Sequence, residues 1–357
     1  MITIKEIAKL ANVSPGTVDR VIHNRPGVSE KTAQRIREIL KEHDFKVNRI
    51  AQSLALKKKF TIAVMLPGYD EENQFWKSPL EGIHKAGEEA MSFGIDVKTF
   101  AFDQKSPKSY VDSFGLLLKT NPQGVVLVPT FKKETKELTQ ILLEKEIPFI
   151  FLNIALEGHD NLCFVGQDSF KSGYLAAKLM QLCLNENDDI LTVHSRSNLS
   201  NVNNISKRIK GFEHYFKALK LKNTNHKIEI EDFWDAKKFR DKITSLPQEG
   251  NEIKGIFVPN SRAHIIAKHI EDFGNKIPYL IGFDITEHNS NALADGKITF
   301  LISQKPFQQG YQSVSGLSKF LLYNTPLQPD ILSPIEIITK ENLPNGQQKD
   351  YTIFPSL

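Results

Sequence analysis

The chain has 357 residues, 40% of them hydrophobic, with 46 Lys and Arg against 42 Asp and Glu and a formal charge of +4. That length holds two or three domains around a large core, and the composition is that of an ordinary globular protein. No run approaches the roughly 18 apolar residues of a membrane span, no low-complexity or repeat segment is visible, and the first eight residues do not read as a signal peptide, so the expected location is the cytoplasm.

The charge is unevenly spread. Residues 1–59 hold 8 Lys and 5 Arg against 6 acidic residues, a surplus of +7 that leaves the remainder at −3. A basic head on a mildly acidic body suits a head that meets phosphate and a body that does not. Cys163 and Cys183 stand in no metal-ligand spacing and read as free thiols.

Residues 3–20, TIKEIAKLANVSPGTVDR, read as a helix, a turn and a second helix. Thr3 and Glu6 form a T-x-x-E capping box, and Ile7, Ala8 and Leu10 give the first helix its apolar side. Asn12 tolerates a left-handed backbone in the turn, and Val13 fills the angle between the helices. Ser14 caps the second helix and Pro15 takes its first position, where a missing N–H costs nothing. Val18, Val21 and Ile22 face inward, leaving Gly16, Thr17, Asp19 and Arg20 on the outer face, where a recognition helix meets base edges. Taken alone, the pattern fits any two-helix corner as well as a DNA reader. Asn24-Arg25-Pro26-Gly27 is a turn by composition, and a third helix runs over 29–43, capped by Ser29, with Ala33, Ile36 and Leu40 inward. Three such short helices are near the lower limit for independent folding.

After the third helix come Val47 and the stretch Asn48-Arg49-Ile50-Ala51-Gln52-Ser53-Leu54-Ala55, then three lysines. VSPGTVDRVIHNRPGVSEKT followed by NRIAQSLA resembles the head and hinge of the lactose-repressor (LacI/GalR) family of bacterial regulators, without a gap. The resemblance implies a DNA-binding set of Thr3, Ser14, Pro15, Gly16, Thr17, Asp19, Arg20, Asn24, Ser29 and Thr32 in the head, with Asn48, Arg49, Ala51, Gln52 and Leu54 in a hinge helix. In that family the hinge leucine wedges into a minor-groove base step, a cost offset by bending DNA onto more protein. Leu54 reads otherwise as an interdomain packing residue. Two positions depart from the family: Val47 replaces the usual proline, and Asp19 interrupts the commoner T-V-S-R. Asp19 repels phosphate yet can accept from a cytosine amino group; alternatively it pairs with Arg20 or Lys31.

From residue 60 short apolar runs alternate with helical patterns, at 60–67, 97–102, 124–128, 149–153, 162–165, 190–194, 228–233, 255–258, 279–283 and 299–302. Alternation of this kind means parallel, doubly wound sheets, and so many strands favour two sequential lobes. The expected fold class is an all-α helix-turn-helix head plus hinge helix, followed by a two-lobed α/β body with two doubly wound parallel sheets. The order resembles the type I periplasmic-binding-protein fold, the sensor body of the same family, in which the chain crosses between lobes three times. Those crossings are expected near Gly166, residues 284–288 and residues 321–326. The expected division is therefore a head over 1–47, a hinge over 48–59, a first lobe over 60–165 plus about 287–321, and a second over 166–286 plus about 322–357.

Ligands of open α/β lobes sit at the carboxyl ends of strands. Asn73, Phe75 and Trp76 follow the first strand and are similar to the Asn-x-aromatic-aromatic segment of ribose-binding proteins; both rings also read as core. Where sugar binders carry an Asp-Arg pair, this chain has Asn153-Ile154. Arg208 opens R-x-x-G-F, whose arginine reaches into the cleft in the family; Lys207, Arg208 and Lys210 also read as a solvated basic face. Asn260, Phe283 and Asp284 match further ligand positions, with Asp284 open to a role as helix cap or pivot, and Gln304 is expected to close the set from the first lobe. Trp234 and Asp235 are weaker candidates. Aromatics, amides, one acid and one arginine suit a polyhydroxylated effector: a sugar, a cyclitol or a nucleoside. No P-loop, G-x-S-x-G elbow, H-E-x-x-H or metal-spaced cysteine pair is present, so no catalysis, cofactor or metal is expected, and His194, His264 and His288 read as solitary. The expectation is a DNA-binding transcriptional regulator, homodimeric on a near-palindromic operator and allosterically controlled by a sugar-like effector. The rival is a solute-binding protein for a sugar or polyol without DNA function.

Overall fold

A computed structural model describes residues 4–22, 26–43, 59–71, 73–194, 203–229, 241, 252–269 and 278–344. The chain divides into two compact units, Met1–Lys57 and Lys58–Leu357.

The head is a three-helix cluster of α1 (Ile4–Ala11), α2 (Pro15–Ile22) and α3 (Glu30–Glu42). Ile7, Ala8 and Ala11 of α1 meet Val18 and Val21 of α2 and Ala33 and Ile36 of α3. Leu10, expected on the inner side, is exposed: four residues on from Ile7 the inward position is Ala11, and Leu10 falls off that stripe. Asn12 takes the left-handed turn position, at φ 55°. Arg35 reaches back to donate to the Leu10 carbonyl at 3.3 Å, satisfying one of the acceptors left over at the end of α1.

The body contains two six-stranded sheets. In the first, β1 (Phe60–Pro67), β2 (Ile95–Phe102), β3 (Gly124–Leu127), β4 (Phe149–Leu152), β5 (Cys163–Gly166) and β11 (Asp330–Leu332) lie in the order β11-β5-β4-β3-β1-β2. In the second, β6 (Asp189–His194), β7 (Asn225–Glu229), β8 (Ile253–Phe257), β9 (Tyr279–Phe283), β10 (Phe300–Ser303) and β12 (Glu336–Ile338) lie in the order β12-β10-β9-β8-β6-β7. All recorded pairings are parallel except β10 with β12. Along β1, Ile62, Val64 and Leu66 enter one apolar cluster while Ala63 and Met65 enter another, as side-chain alternation requires of a sheet covered on both faces.

The helices of the body are α4 (Lys77–Met91), α5 (Pro107–Leu118), α6 (Lys132–Glu144), α7 (Ser169–Cys183), α8 (Asn203–Ala218), α9 (Ala263–Ala267), α10 (Glu287–Ala294) and α11 (Pro306–Tyr323). Each lobe has one very close helix pair, α4 with α11 and α7 with α8. In the second pair a Cβ on Gly211 would collide with the Phe170 carbonyl, and one on Gly173 with the Arg208 carbonyl. This is the physical content of R-x-x-G: the glycine lets α8 press onto α7, which fixes the axis that carries Arg208.

Two expected crossings are displaced. β10 and α10 belong to the second lobe, so the second crossing is not at 284–288 but between Ser303, the end of β10, and Pro306, which opens α11 in the first lobe. The third lies not at 321–326 but between β11 and β12, at 333–335. The first-lobe segment is thus α11 with β11, and α10 with β10 stays in the second. Gln167, just after the first crossing, donates through Nε2 to the Ser303 carbonyl (3.1 Å) and the Pro334 carbonyl (3.0 Å), so one side chain ties all three connections together.

Candidate functional site

In the head, the N-termini of α2 and α3 are both open to solvent. Ser14 Oγ accepts from the Thr17 N–H at 3.1 Å and lies 2.9 Å from the Thr17 hydroxyl; Ser29 Oγ accepts from the Thr32 N–H at 3.3 Å and lies 2.8 Å from the Thr32 hydroxyl. Ser14, Pro15, Gly16, Arg20 and Ser29 are exposed, and Thr17, Asp19 and Thr32 half-buried. Two exposed helix starts present backbone N–H groups and positive dipole ends, which is what a phosphate needs. Asp19 already interacts within the protein. Thr3, Asn24, Asn48, Arg49, Ala51, Gln52 and Leu54 lie outside the described residues, as do Trp234 and Asp235.

In the body, one cavity lies between the carboxyl ends of the two sheets. It holds about 730 Å³ free of protein atoms, part of it continuous with solvent. Asn73, Phe75, Trp76 and Asn153 line it from the first lobe; Arg208, Asn260, Asp284 and Gln304 line it from the second. Gln304 was expected from the first lobe, but it follows β10 of the second sheet. Phe75 and Trp76 pack edge to face at 4.9 Å and belong to the first-lobe core while also forming cavity wall. Phe283 does not line the cavity. It is fully buried, and the Arg208 guanidinium lies over its ring at 3.8 Å.

A chain of amides crosses the cavity floor. Asn153 Nδ2 donates to Gln304 Oε1 (3.0 Å) and Gln309 Oε1 (3.1 Å), and Gln304 Nε2 donates to both oxygens of Asp284 (2.9 and 3.2 Å). From α8 of the second lobe, Asn204 Nδ2 donates to the Asn153 carbonyl at 2.8 Å. These bonds span the lobes and hold Asp284 and Asn153 in fixed orientations.

Among the described residues, three polar atoms in this cavity have no partner. Arg208 is only 3% exposed, and while its Nη1 donates to the Pro259 carbonyl at 3.0 Å, Nε and Nη2 make no hydrogen bond. From the opposite lobe, the buried Thr130 Oγ1 is likewise unsatisfied. Burial lowers the Arg208 pKa to about 10 against the pull of Asp284, and raises that of Asp284 to about 6 against the pull of Arg208 and Gln304. The cation–π contact with Phe283 offsets roughly 0.5–2 kcal/mol, whereas stripping water from a buried ion costs several kcal/mol. The arginine therefore retains a large unmet demand for an acceptor, and an unsatisfied buried donor in a native fold calls for a partner such as a water, an ion or a ligand.

Sequence reasoning missed Gln104, Thr130, Asn204, Ile205, Ser261 and Arg262 among the lining residues. Thr130 and Ser261 follow strands and were within reach of the strand-end rule; Asn204 opens a helix and carries no local signal. His264 and His288, expected to be solitary, pack with tilted rings 5.1 Å apart, and neither lines the cavity; burial lowers the His264 pKa to about 4. Among the described residues no group of His, Cys, Asp and Glu is placed to hold a metal ion, and no helix is long and apolar enough to cross a membrane.

Residues 62–321 match the model of the periplasmic binding protein domain, and residues 3–48 that of the bacterial regulatory proteins, lacI family. The chain belongs to the periplasmic binding protein domain family and carries a lacI-family head. The ribose operon repressor of Lactococcus lactis subsp. lactis is 25% identical over 348 residues, covering 96% of this chain and 98% of that protein. MalR, an HTH-type transcriptional regulator of Streptococcus pneumoniae, is 29% identical over 180 residues, and the chain spans about half of its length (52%). Among solved structures, a candidate LacI transcriptional regulator from Bacteroides fragilis superposes with a TM-score of 0.72 at 27% identity, over 80% of this chain and 98% of that one. The glucose-galactose binding protein GanP of Geobacillus stearothermophilus superposes at 0.68 with 17% identity, over 81% of this chain and 100% of that one, a likeness of fold alone.

Proposed function

We propose that the chain is a DNA-binding transcriptional regulator that works in the cytoplasm as a homodimer on a near-palindromic operator, under allosteric control by a small polyhydroxylated effector held between its lobes. The observation that carries this reading is the pairing of a lacI-type head with a cavity in which buried, unpartnered groups from both lobes, Thr130 Oγ1 and the Nε/Nη2 edge of Arg208, face one space. A ligand contacting both lobes favours one interlobe arrangement and is rewarded only there. Dimerisation is part of the proposal because one small head offers few base contacts, and two half-sites multiply them. Effector and operator then change each other's affinity by the same factor.

The test is fluorescence anisotropy of the full chain on duplex DNA at increasing salt, with sedimentation at micromolar concentration. Regulator and operator should associate with a steep salt dependence, and the protein should sediment as a dimer. Absence of DNA binding at low salt contradicts the proposal and returns the chain to the solute-binder class, a reading that leaves the lacI match over residues 3–48 without a purpose.

A further inference from the structure

We propose that the effector is an acid, a hydroxylated sugar acid whose carboxylate docks on the open edge of Arg208. This rests on the regulator reading for the word effector, but the chemistry follows from the cavity. Nε and Nη2 project two parallel N–H groups from the same edge of a guanidinium, the spacing of the two oxygens of a carboxylate. That edge is preset: Nη1 is anchored on the Pro259 carbonyl, and the Phe283 ring lies under the guanidinium face. The side chain cannot swing to find another partner without breaking both contacts.

The charges of the lining point the same way. Among the described residues, its titratable or charged residues are Arg208, Arg262 and Asp284. Asp284 acts on Arg208 through its charge but not through a hydrogen bond to the open edge. Both of its oxygens accept from Gln304, and no hydrogen bond joins it to the open edge of the arginine. Arg262 stands where the cavity meets an outer pocket that also holds Asp70, Asp103 and Lys105, and it already interacts within the protein, so the buried cation with an open donor edge is Arg208. Neutral hydroxyls would accept from the fork singly and bring no opposite charge to it. A carboxylate supplies both acceptors and the opposite charge. The remaining wall suits the rest of a sugar: Asn73, Gln104, Thr130 and Asn260 offer amides and a hydroxyl, and Trp76 a flat apolar surface.

The experiment is isothermal titration and thermal shift of the full chain with D-glucuronate, D-galacturonate and D-gluconate, each beside its neutral hexose, and with acetate and inorganic phosphate as bare anions. At least one sugar acid should bind about tenfold or more tightly than its neutral parent, and Arg208→Gln should erase that preference. Arg208→Lys, which keeps the charge but loses the fork, should retain part of it, and guards against a glutamine variant that fails to fold. Neutral sugars binding as tightly as their acids would overturn the proposal and leave the sugar-regulator reading standing. Bare anions binding as tightly as the sugar acids, or no acid binding at millimolar concentration, would overturn it too. Loss of DNA binding by a chain that still prefers the acids would instead sink the regulator reading alone.

Discussion

The two lobes turn the same corner at the same place. Leaving β4, Asn153 takes a left-handed backbone at φ 66°, and its N–H bonds the Val165 carbonyl on the neighbouring strand; leaving β9, Asp284 does the same at φ 69°, bonding Ile302. Asn and Asp are the non-glycine residues that tolerate this conformation best, so the backbone plan admits either. What differs is the side chain the corner delivers. The first lobe delivers an amide that bridges to Gln304, Gln309 and Asn204; the second delivers a carboxylate beside a buried arginine. One lobe therefore supplies shape and neutral hydrogen bonding and the other supplies charge. On the proposed reading, the repeated fold sets the place of the effector, and the side chains at and beside each corner set the chemistry it meets.

The largest expected effect lies on the charged side. Arg208→Gln should weaken effector binding by on the order of 100-fold by titration calorimetry, since truncating a buried charged contact typically costs 2–5 kcal/mol. A loss under about threefold would mean that charge does not distinguish the lobes. On the neutral side, Asn153→Ala removes the donor to Gln304 and Gln309 and one acceptor for Asn204. Unsatisfied buried amides cost about 1–3 kcal/mol, so urea denaturation should show a loss of that size without any new dependence on pH.

Asp284 gives the comparison a pH axis. Its pKa is raised to about 6, so between its ordinary value and 6 the folded protein holds a proton that the unfolded chain has released. Stability from this group is fully present at low pH and falls as pH rises to about 6, by on the order of 3 kcal/mol. The stability difference between the protein and Asp284→Asn, measured by urea denaturation at pH 4 and pH 7, should shift by that amount; a constant difference contradicts the assignment. The smallest effect is expected at Thr130→Val. Its hydroxyl has no partner in the free protein, so stability should barely change while effector affinity drops up to about tenfold. A clear loss of stability would place the hydroxyl in the fold rather than in the site.

Much of this architecture is legible in the sequence because it rests on local chemistry. The caps at Ser14 and Ser29, the left-handed Asn12 and the alternation of apolar strands with helices each have a short-range cause. Strand ends are legible too: seven expected residues that follow strands meet at one cavity, joined by Arg208 from α8. What the sequence hides is long-range. The second crossing occupies only Gln304 and Lys305 before Pro306 opens a helix, with no composition change to mark it, so Gln304 was expected from the wrong lobe. Phe283 carries the strand-end signal, but the alternation of side chains turns it inward beneath Arg208. Asn204 and Arg262 come into play only through helix placement, which no spacing rule encodes.

On the proposed reading, a ligand held by both lobes controls the grip of the head on DNA. The direct measurement selects bound duplexes from a random library with the full chain, then titrates the recovered sequence by anisotropy with and without a cleft ligand. The account predicts a near-palindromic sequence whose affinity changes about fivefold or more on adding ligand, with the change abolished by Arg208→Gln. A recovered sequence bound equally well with and without a ligand that demonstrably occupies the cleft would contradict it.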